Sequence, residues 1–507
     1  MNILSGKSSQ ADQHSSAAKI LIITASVLIV TSPSSSATQA DDTRIVAVGR
    51  VEDNPFIRHL KFSVNPIANL KSVQFTVQPK PGSVTRPISA TYSSEYLSSR
   101  GYLDAAGNLK IPVFGLYDGF TNTVTLTYFF RDNSSKESLF SLPTLAFRDR
   151  CGFKQRTVVQ ARTGSTSLSY DFMLLKDSCS DLFSPALMDT DGALRWVGTA
   201  GVSSSVNAFF DNAIYLGNGP QLLRIELDGT VNLVADYSSI GVIGLHHNID
   251  PGKFGLLLEV DTTTDLESVI LEVGKDGNVR KRWNMYQIIA NAMRAGGDDP
   301  SAFVRRGQDW FHNNSVTYRA SDDSLIVSSR ENFVIALDYA SGAIKWILGD
   351  KTKAWFQYPS LSQYALTVPP GGGVAPIGQH ALSITYNDKL LLFDDGFPSF
   401  SQTPPGSMRK FAAPRKYSLN LANRTATQIF SYNRSIVSEI CSSVYEDAPD
   451  NYLVDYAVAG GFQSGNAFAE IVGLEPNANR AFDYKYPTNF CDEIFNAFPI
   501  HLEQLSF

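Results

Sequence analysis

The sequence predicts an all-β protein, a six-bladed β-propeller preceded by a small β-sandwich. Three observations carry that prediction. Stretches such as SVQFTVQP (72–79) and NTVTLTYFF (122–130) alternate apolar and polar residues, the period of a half-buried strand. From about residue 183 a short phrase recurs, a glycine-bearing turn followed by a β-branched or aliphatic run. The longest helical candidate, NMYQIIANAMRAG (284–296), is short and reads as an insertion.

Composition narrows the function classes. Of 507 residues, 18% are charged and 11% aromatic, which excludes a disordered chain. A net charge of -6 argues against a nucleic-acid binder, which carries a basic face. One long apolar run excludes a polytopic membrane protein.

That run, ILIITASVLIV (20–30), follows Lys19 and precedes the small residues SSSATQA, the layout of a secretory signal over residues 1–40. It is too short to span a bilayer comfortably. An exported, periplasmic protein without a membrane segment after cleavage is expected; a retained anchor is the alternative. Cys151, Cys179, Cys441 and Cys491 then meet an oxidising compartment, and sequence proximity pairs Cys151 with Cys179 and Cys441 with Cys491. No CxxC spacing points to zinc.

Residues 41–150 are expected to form the sandwich, with six to eight strands between turns such as PKPGS, DAAGN and LYDGF. Residues 151–182 are expected to connect it to a propeller over 183–507. There the phrase occurs as DTDGALRWV (189–197), ELDGTVNLV (226–234), GKDGNVRKRW (274–283) and DYASGAIKWI (338–347), with weaker forms at 419–430 and 476–486. Gly192, Gly229, Gly277 and Gly342 would supply positive φ in hairpin turns between outer strands. Six phrases imply six blades; a large sandwich with ordinary hairpins is the competing architecture.

Seven histidines are present. His14, His59 and His501 have no chemical context. His246 and His247 sit in GLHHNIDPGKFGLLLEVD, His312 in DWFHNNSVTY and His380 in PIGQHALSITYNDKLLLFDDG. All three contexts place histidine before an apolar strand, a turn and a second apolar strand, where equivalent positions of successive blades converge. Arg330 lies in SLIVSSRENFVIALD, read as a strand, and needs an anionic partner or water, since an unpaired buried charge is costly; a plain structural salt bridge is the other reading. Histidines could hold a metal, but an arginine among them favours an oxyanion. The cluster suits a transferred oxyanion, with one histidine as nucleophile and the others, Arg330, Asn313 and Asn314 around it. Trp310, Phe311, Tyr318, Trp355, Phe356 and Tyr358 either line a pocket for a flat substrate or pack the core.

DWFHNNSVTY, SDDSLIVSSREN, ALDYASGAIKWILGD and GQHAL…LLLFDDG resemble the bacterial arylsulfate sulfotransferase family, and GLYDGFTNTVTLTYFF resembles its amino-terminal β domain. The resemblance implies an exported six-bladed propeller, independent of a nucleotide sulfate donor. It also implies ping-pong transfer of a sulfuryl group from an aryl sulfate ester to a phenol through a sulfohistidine. By motif, His380 would be the nucleophile, His312 and Arg330 the sulfate-stabilising pair and Asn314 a nearby amide. The third histidine would come from the HHN motif, with His247 preferred over His246. The family's best known members carry a close-spaced disulfide near the nucleophile; no such cysteine pair adjoins His380 in the sequence. No cofactor or metal is implied. The expected partners are small aromatic sulfate esters and phenols, with a homodimer as candidate assembly. An aryl sulfate hydrolase, a non-catalytic binding propeller and a metal-dependent lactonase-like propeller are the competing functions; the last lacks an acid-rich constellation in these loops. QPKPGSVTR (78–86) resembles a phosphosulfate loop only superficially, because no helix pattern follows.

Overall fold

The computed structural model describes residues 54–64, 67–179 and 183–507, and these are all-β apart from short helices. The expected signal, with His14, lies outside the described residues. No helix among the described residues is long and apolar enough to cross a membrane.

Period-two alternation does its work in the first unit. Leu70–Val77 and Thr121–Phe130 turn Val73, Phe75, Val77, Val124 and Leu126 inward and their polar neighbours outward. They form a five-stranded sheet with Ile88–Ser93, Ser135–Pro143 and, unexpectedly, Leu505–Ser506, which pairs parallel with Ile88–Ser93. A two-stranded sheet, Ile57–Ser63 with Asn108–Phe114, contributes to the same core. Residues 41–150 alone therefore do not complete the unit; the carboxyl end of the chain does.

Six further sheets follow. Five begin with β1 (Asn207–Phe210), β2 (Val242–Pro251), β3 (Asn313–Arg319), β4 (His380–Ile384) and β5 (Ser443–Ala448). Each of these strands is followed by three antiparallel neighbours in chain order. The sixth joins Phe172–Lys176, Ala186–Asp189 and Leu194–Val197 to β6 (Asn496–Ile500) from the far end of the chain. The β1 strand packs on Phe172–Lys176 and β2, and β2 through β6 pack on one another in succession. The 151–182 stretch is more than a connector. Thr157–Gln160 adds an outer strand to the β5 sheet, and Phe172–Lys176 belongs to the β6 sheet.

Gly192, Gly229, Gly277 and Gly342 occupy the turns between the last two strands of four sheets, all at positive φ. The weaker phrases do the same work through Arg424 (φ 52°) and Ala478 (φ 61°). The insertion is helix α1 (Met285–Ala295), capped by Asn284, whose side chain accepts from the Gln287 N–H. Met285, Ile289 and Met293 recur every four residues on its buried face, beside Trp283, Trp310 and Trp355.

The turns differ in how tightly they are packed. A Cβ on Gly277 would come within 2.8 Å of the Val234 carbonyl oxygen, whereas one on Gly342 would meet nothing closer than 3.7 Å. Gly342→Ala is expected to cost about 1–2 kcal/mol from its left-handed backbone alone, and Gly277→Ala clearly more. Equilibrium denaturation of both variants checks the order.

Candidate active site

Three neighbouring strands, β2, β3 and β4, are irregular at or directly after a histidine. The register shifts between Leu245 and Ile249, between Asn313 and Ser315, and between His380 and Ser383. His247, His312 and Ala381 hold φ near +50° at these bulges, a conformation that costs a non-glycine residue about 1–2 kcal/mol and re-aims the chain. The shared grammar of the three motifs is therefore offset by one: the left-handed residue is the histidine itself within β2 and just before β3, but follows the histidine in β4.

Side-chain amides hold the three bulges in step. Asn248 Nδ2 donates to the Asn314 carbonyl, and Asn314 Nδ2 donates to the Gln379 carbonyl, each at 2.9 Å. Asn248 Oδ1 in turn accepts from Lys176 Nζ at 2.7 Å. Asn313 is fully buried and its side-chain atoms have no partner.

His247, His312, Arg330 and His380 line one cavity of about 270 Å³, together with Asp309, Glu331, Phe400, Ser401, Ile440, Cys441, Phe490 and Phe495. His246 is not part of its wall; its Nδ1 lies 2.8 Å from His247 Nδ1. Asn313 and Asn314 also lie behind the wall. Of the remaining histidines, His59 packs near Tyr102 and His501 pairs with Asp447 at 2.8 Å, both away from the cavity.

His380 is buried, and its Nδ1 lies 2.5 Å from Asp395 Oδ2. Burial, reinforced by Arg330, holds the imidazole well below the usual histidine range. Burial raises the Asp395 carboxyl well above the usual carboxylate range, against the pull of Arg330. His312 is the opposite case. Its Nδ1 lies 2.6 Å from both Glu267 and Asp309. Burial opposes its protonation, but the two carboxylates outweigh that penalty and raise it to about 10. Its ring meets His247 edge-on at 4.7 Å; burial, against the pull of Glu267, holds His247 well below the usual range. Neighbouring imidazoles are thus driven apart, one charged and two neutral.

Arg330 is not in a strand. Ser324–Ser329 ends before it, and Arg330 opens the turn to Val334–Asp338. Its N–H donates to the His312 carbonyl at 3.0 Å, which ties the two residues together. The guanidinium is 2% exposed and donates from Nη1 to Glu331 at 2.7 Å, so the salt-bridge reading is right for one nitrogen. Its Nε and Nη2 are buried without a partner. A cation with unspent donors in the wall of a cavity matches a tetrahedral oxyanion.

Of the two readings of the aromatic residues, core packing is the one observed: Trp310, Phe311 and Trp355 are buried around α1, with Tyr318, Phe356 and Tyr358 against them. Phe400, Phe490 and Phe495 line the cavity in their place. Disulfides join Cys151 to Cys179 and Cys441 to Cys491, and the second stands in the cavity wall with His380 although its cysteines are far away in sequence. Asp395, Glu267, Asp309 and Glu331 were missed. Asp309 and Glu331 sit three and one residues from their partners and Asp395 directly follows the Leu390–Asp394 strand, but nothing local marks Glu267. Two groups, His246–His247–Glu267 and Glu267–Asp309–His312, place ligand atoms close enough for a metal. Both draw on Glu267, whose charge is already matched by His312.

The chain belongs to the arylsulfotransferase family. The family model described as "Arylsulfotransferase (ASST)" matches residues 157–495, and that of the "Arylsulfotransferase Ig-like domain" matches residues 64–144. A curated relative, arylsulfate sulfotransferase AssT of Escherichia coli O6:H1, is 25% identical over 214 residues. That match spans 34% of this chain and 35% of the relative. Among solved structures, a protein of unknown function from Bacteroides thetaiotaomicron aligns over 89% of this chain and 99% of its own, at 9% identity and a TM-score of 0.30. The β-propeller domain of Cps50 (Swd1) from Myceliophteria thermophila aligns over 64% and 89%, at 8% identity and a TM-score of 0.34.

The elevated His312 has a consequence for stability. Its protonated form is favoured in the folded chain over an unfolded value of about 6.5. The stabilisation is complete below that value and is lost as pH rises through about 10. Glu267→Gln should bring His312 down toward the ordinary value, read by NMR of ring-labelled histidine, and should flatten the fall of Tm between pH 7 and 10. An unchanged titration would assign the charge to Asp309 alone.

Proposed function

We propose that the protein is an exported arylsulfate sulfotransferase that moves a sulfuryl group from an aryl sulfate ester to a phenol through a sulfated His380. The observation that carries this reading is the joint placement of neutral His380, protonated His312 and the half-paired Arg330 in one cavity wall. In the reactive form Asp395 is ionised and accepts the Nδ1 proton, so that His380 presents the Nε2 lone pair as nucleophile. In the first half-reaction Nε2 bonds to sulfur, the ester S–O bond breaks, and its electron pair leaves on the aryl oxygen. His312 gives that oxygen a proton, and the phenol departs. In the second half-reaction the acceptor phenol returns a proton to neutral His312. Its oxygen attacks sulfur, and the S–N bond breaks back to His380. Arg330 Nε and Nη2 bind the sulfuryl oxygens throughout, where they spread the growing charge.

The apolar part of the wall, Ile440, Phe400, Phe490 and Phe495, favours an aromatic acceptor over water, and so a transferase over a hydrolase. The family membership and the named relative support the same class. In this reading the six sheets, joined in series through β1 to β6, are the blades of one propeller over residues 157–500, with the first unit, completed by residues 505–506, docked on it. Two disulfides and the signal pattern of residues 1–40 support the reading of an exported, periplasmic protein.

Incubation with p-nitrophenyl sulfate and phenol should release nitrophenol and form phenyl sulfate. His380→Ala should abolish transfer, and intact-mass analysis of the donor-treated wild type should find sulfate on the His380 peptide. His312→Gln should lower kcat about 10²–10⁴-fold. Full transfer by His380→Ala would reject the nucleophile.

A further inference from the structure

Glu331 is buried in the cavity wall, and its two oxygens face different partners. Oε1 accepts from Arg330 Nη1 at 2.7 Å. Oε2 accepts from the Ser401 N–H at 2.8 Å, from Ser401 Oγ at 3.0 Å and from Ser399 Oγ. The segment held by Oε2 carries Phe400, whose ring lies 4.0 Å from the Arg330 guanidinium and which is itself 62% exposed. Further bonds anchor the same segment beside the His312 loop: Gln402 Nε2 donates to the Phe303 and Trp310 carbonyls, and Arg305 Nη2 donates to the Ser401 carbonyl. One carboxylate therefore joins the buried cation to the strap that covers it.

We propose that Glu331 is a positioning residue that locks Arg330 and the Ser399–Gln402 strap into one register. Phe400 then covers one side of the guanidinium, while Nε and Nη2 stay without a protein partner. A free guanidinium would swing among rotamers, and a single hydrogen bond from Nη1 removes that freedom without using the donors that meet the sulfuryl oxygens. Phe400 also lines the cavity, so the strap sets the distance between the site's cation and the aromatic wall. The catalytic consequence rests on the transferase reading; the mechanical link does not.

The test combines kinetics with hydrogen exchange on the full-length protein. Glu331→Gln should lower kcat for p-nitrophenyl sulfate on the order of 10²-fold through misplacement of Arg330, with little change in KM, and Glu331→Asp should recover part of the loss. In an Arg330→Ala background Glu331→Gln should cost nothing further, because its effect passes through that side chain. Phe400→Leu, at an exposed position that does not threaten folding, should lower kcat about tenfold. Amide exchange over residues 399–402 should accelerate at least tenfold in Glu331→Gln. Additive losses in the double variant, or unchanged exchange in the strap, would overturn the proposal. If the wild-type protein transfers no sulfate, the transferase reading falls, and the exchange measurement alone decides the clamp.

Discussion

A guanidinium taken almost wholly out of water is the constraint around which this site is arranged. Desolvating such an ion costs several kcal/mol, and only partners of matched geometry recover it. Arg330 has one carboxylate, one aromatic face and a backbone tie to His312. Its own carbonyl accepts from the buried Lys353 ammonium at 2.7 Å, whose pKa burial lowers to about 7. The field of Arg330 then reaches outward, holding down the His380 imidazole and countering the upward push of burial on Asp395. Burial is the larger influence on both groups, and Arg330 adds to it at His380 and opposes it at Asp395.

That charge can be placed because the scaffold spends backbone strain in a controlled way. Regular strands at β2, β3 and β4 would alternate their side chains and send some of the histidines into the core. The bulges, with left-handed residues at His247, His312 and Ala381, turn the side chains to a common wall. The Asn248 to Asn314 to Gln379 amide series couples the three bulges, so the aim of one strand is referred to its neighbours. Within that frame His312 sits between two carboxylates and His380 beside a cation, and chemically identical side chains acquire opposite charge states.

Local chemistry was readable along the chain wherever a signal is carried by adjacent residues. Alternation marked Leu70–Val77 and Thr121–Phe130. The Asp-Gly and Ser-Gly turns marked the outer hairpins, the spacing of Met285, Ile289 and Met293 marked α1, and the histidine and arginine motifs marked four members of the cavity wall. Features built from distant segments were not readable. Glu267 meets His312 across 45 positions with no motif to announce it, and Phe400, Phe490 and Phe495, none within a histidine motif, supply the aromatic wall. Trp310 and Trp355 cannot do so because α1 needs their apolar area for its own burial.

The sequence by itself determined the strand content, the turn chemistry and which residues carry reactive groups, because these follow from side-chain periodicity, from the φ preference of glycine and from functional-group identity. Only the tertiary structure decided that His247 rather than His246 faces the cavity, since that depends on where one bulge reverses the chain. It also decided that the Cys441–Cys491 disulfide stands beside His380, that residues 505–506 complete the first sheet, and that Arg330 keeps two donors free. Each of these is a relation between segments far apart in the chain, set by packing and by the matching of buried charge.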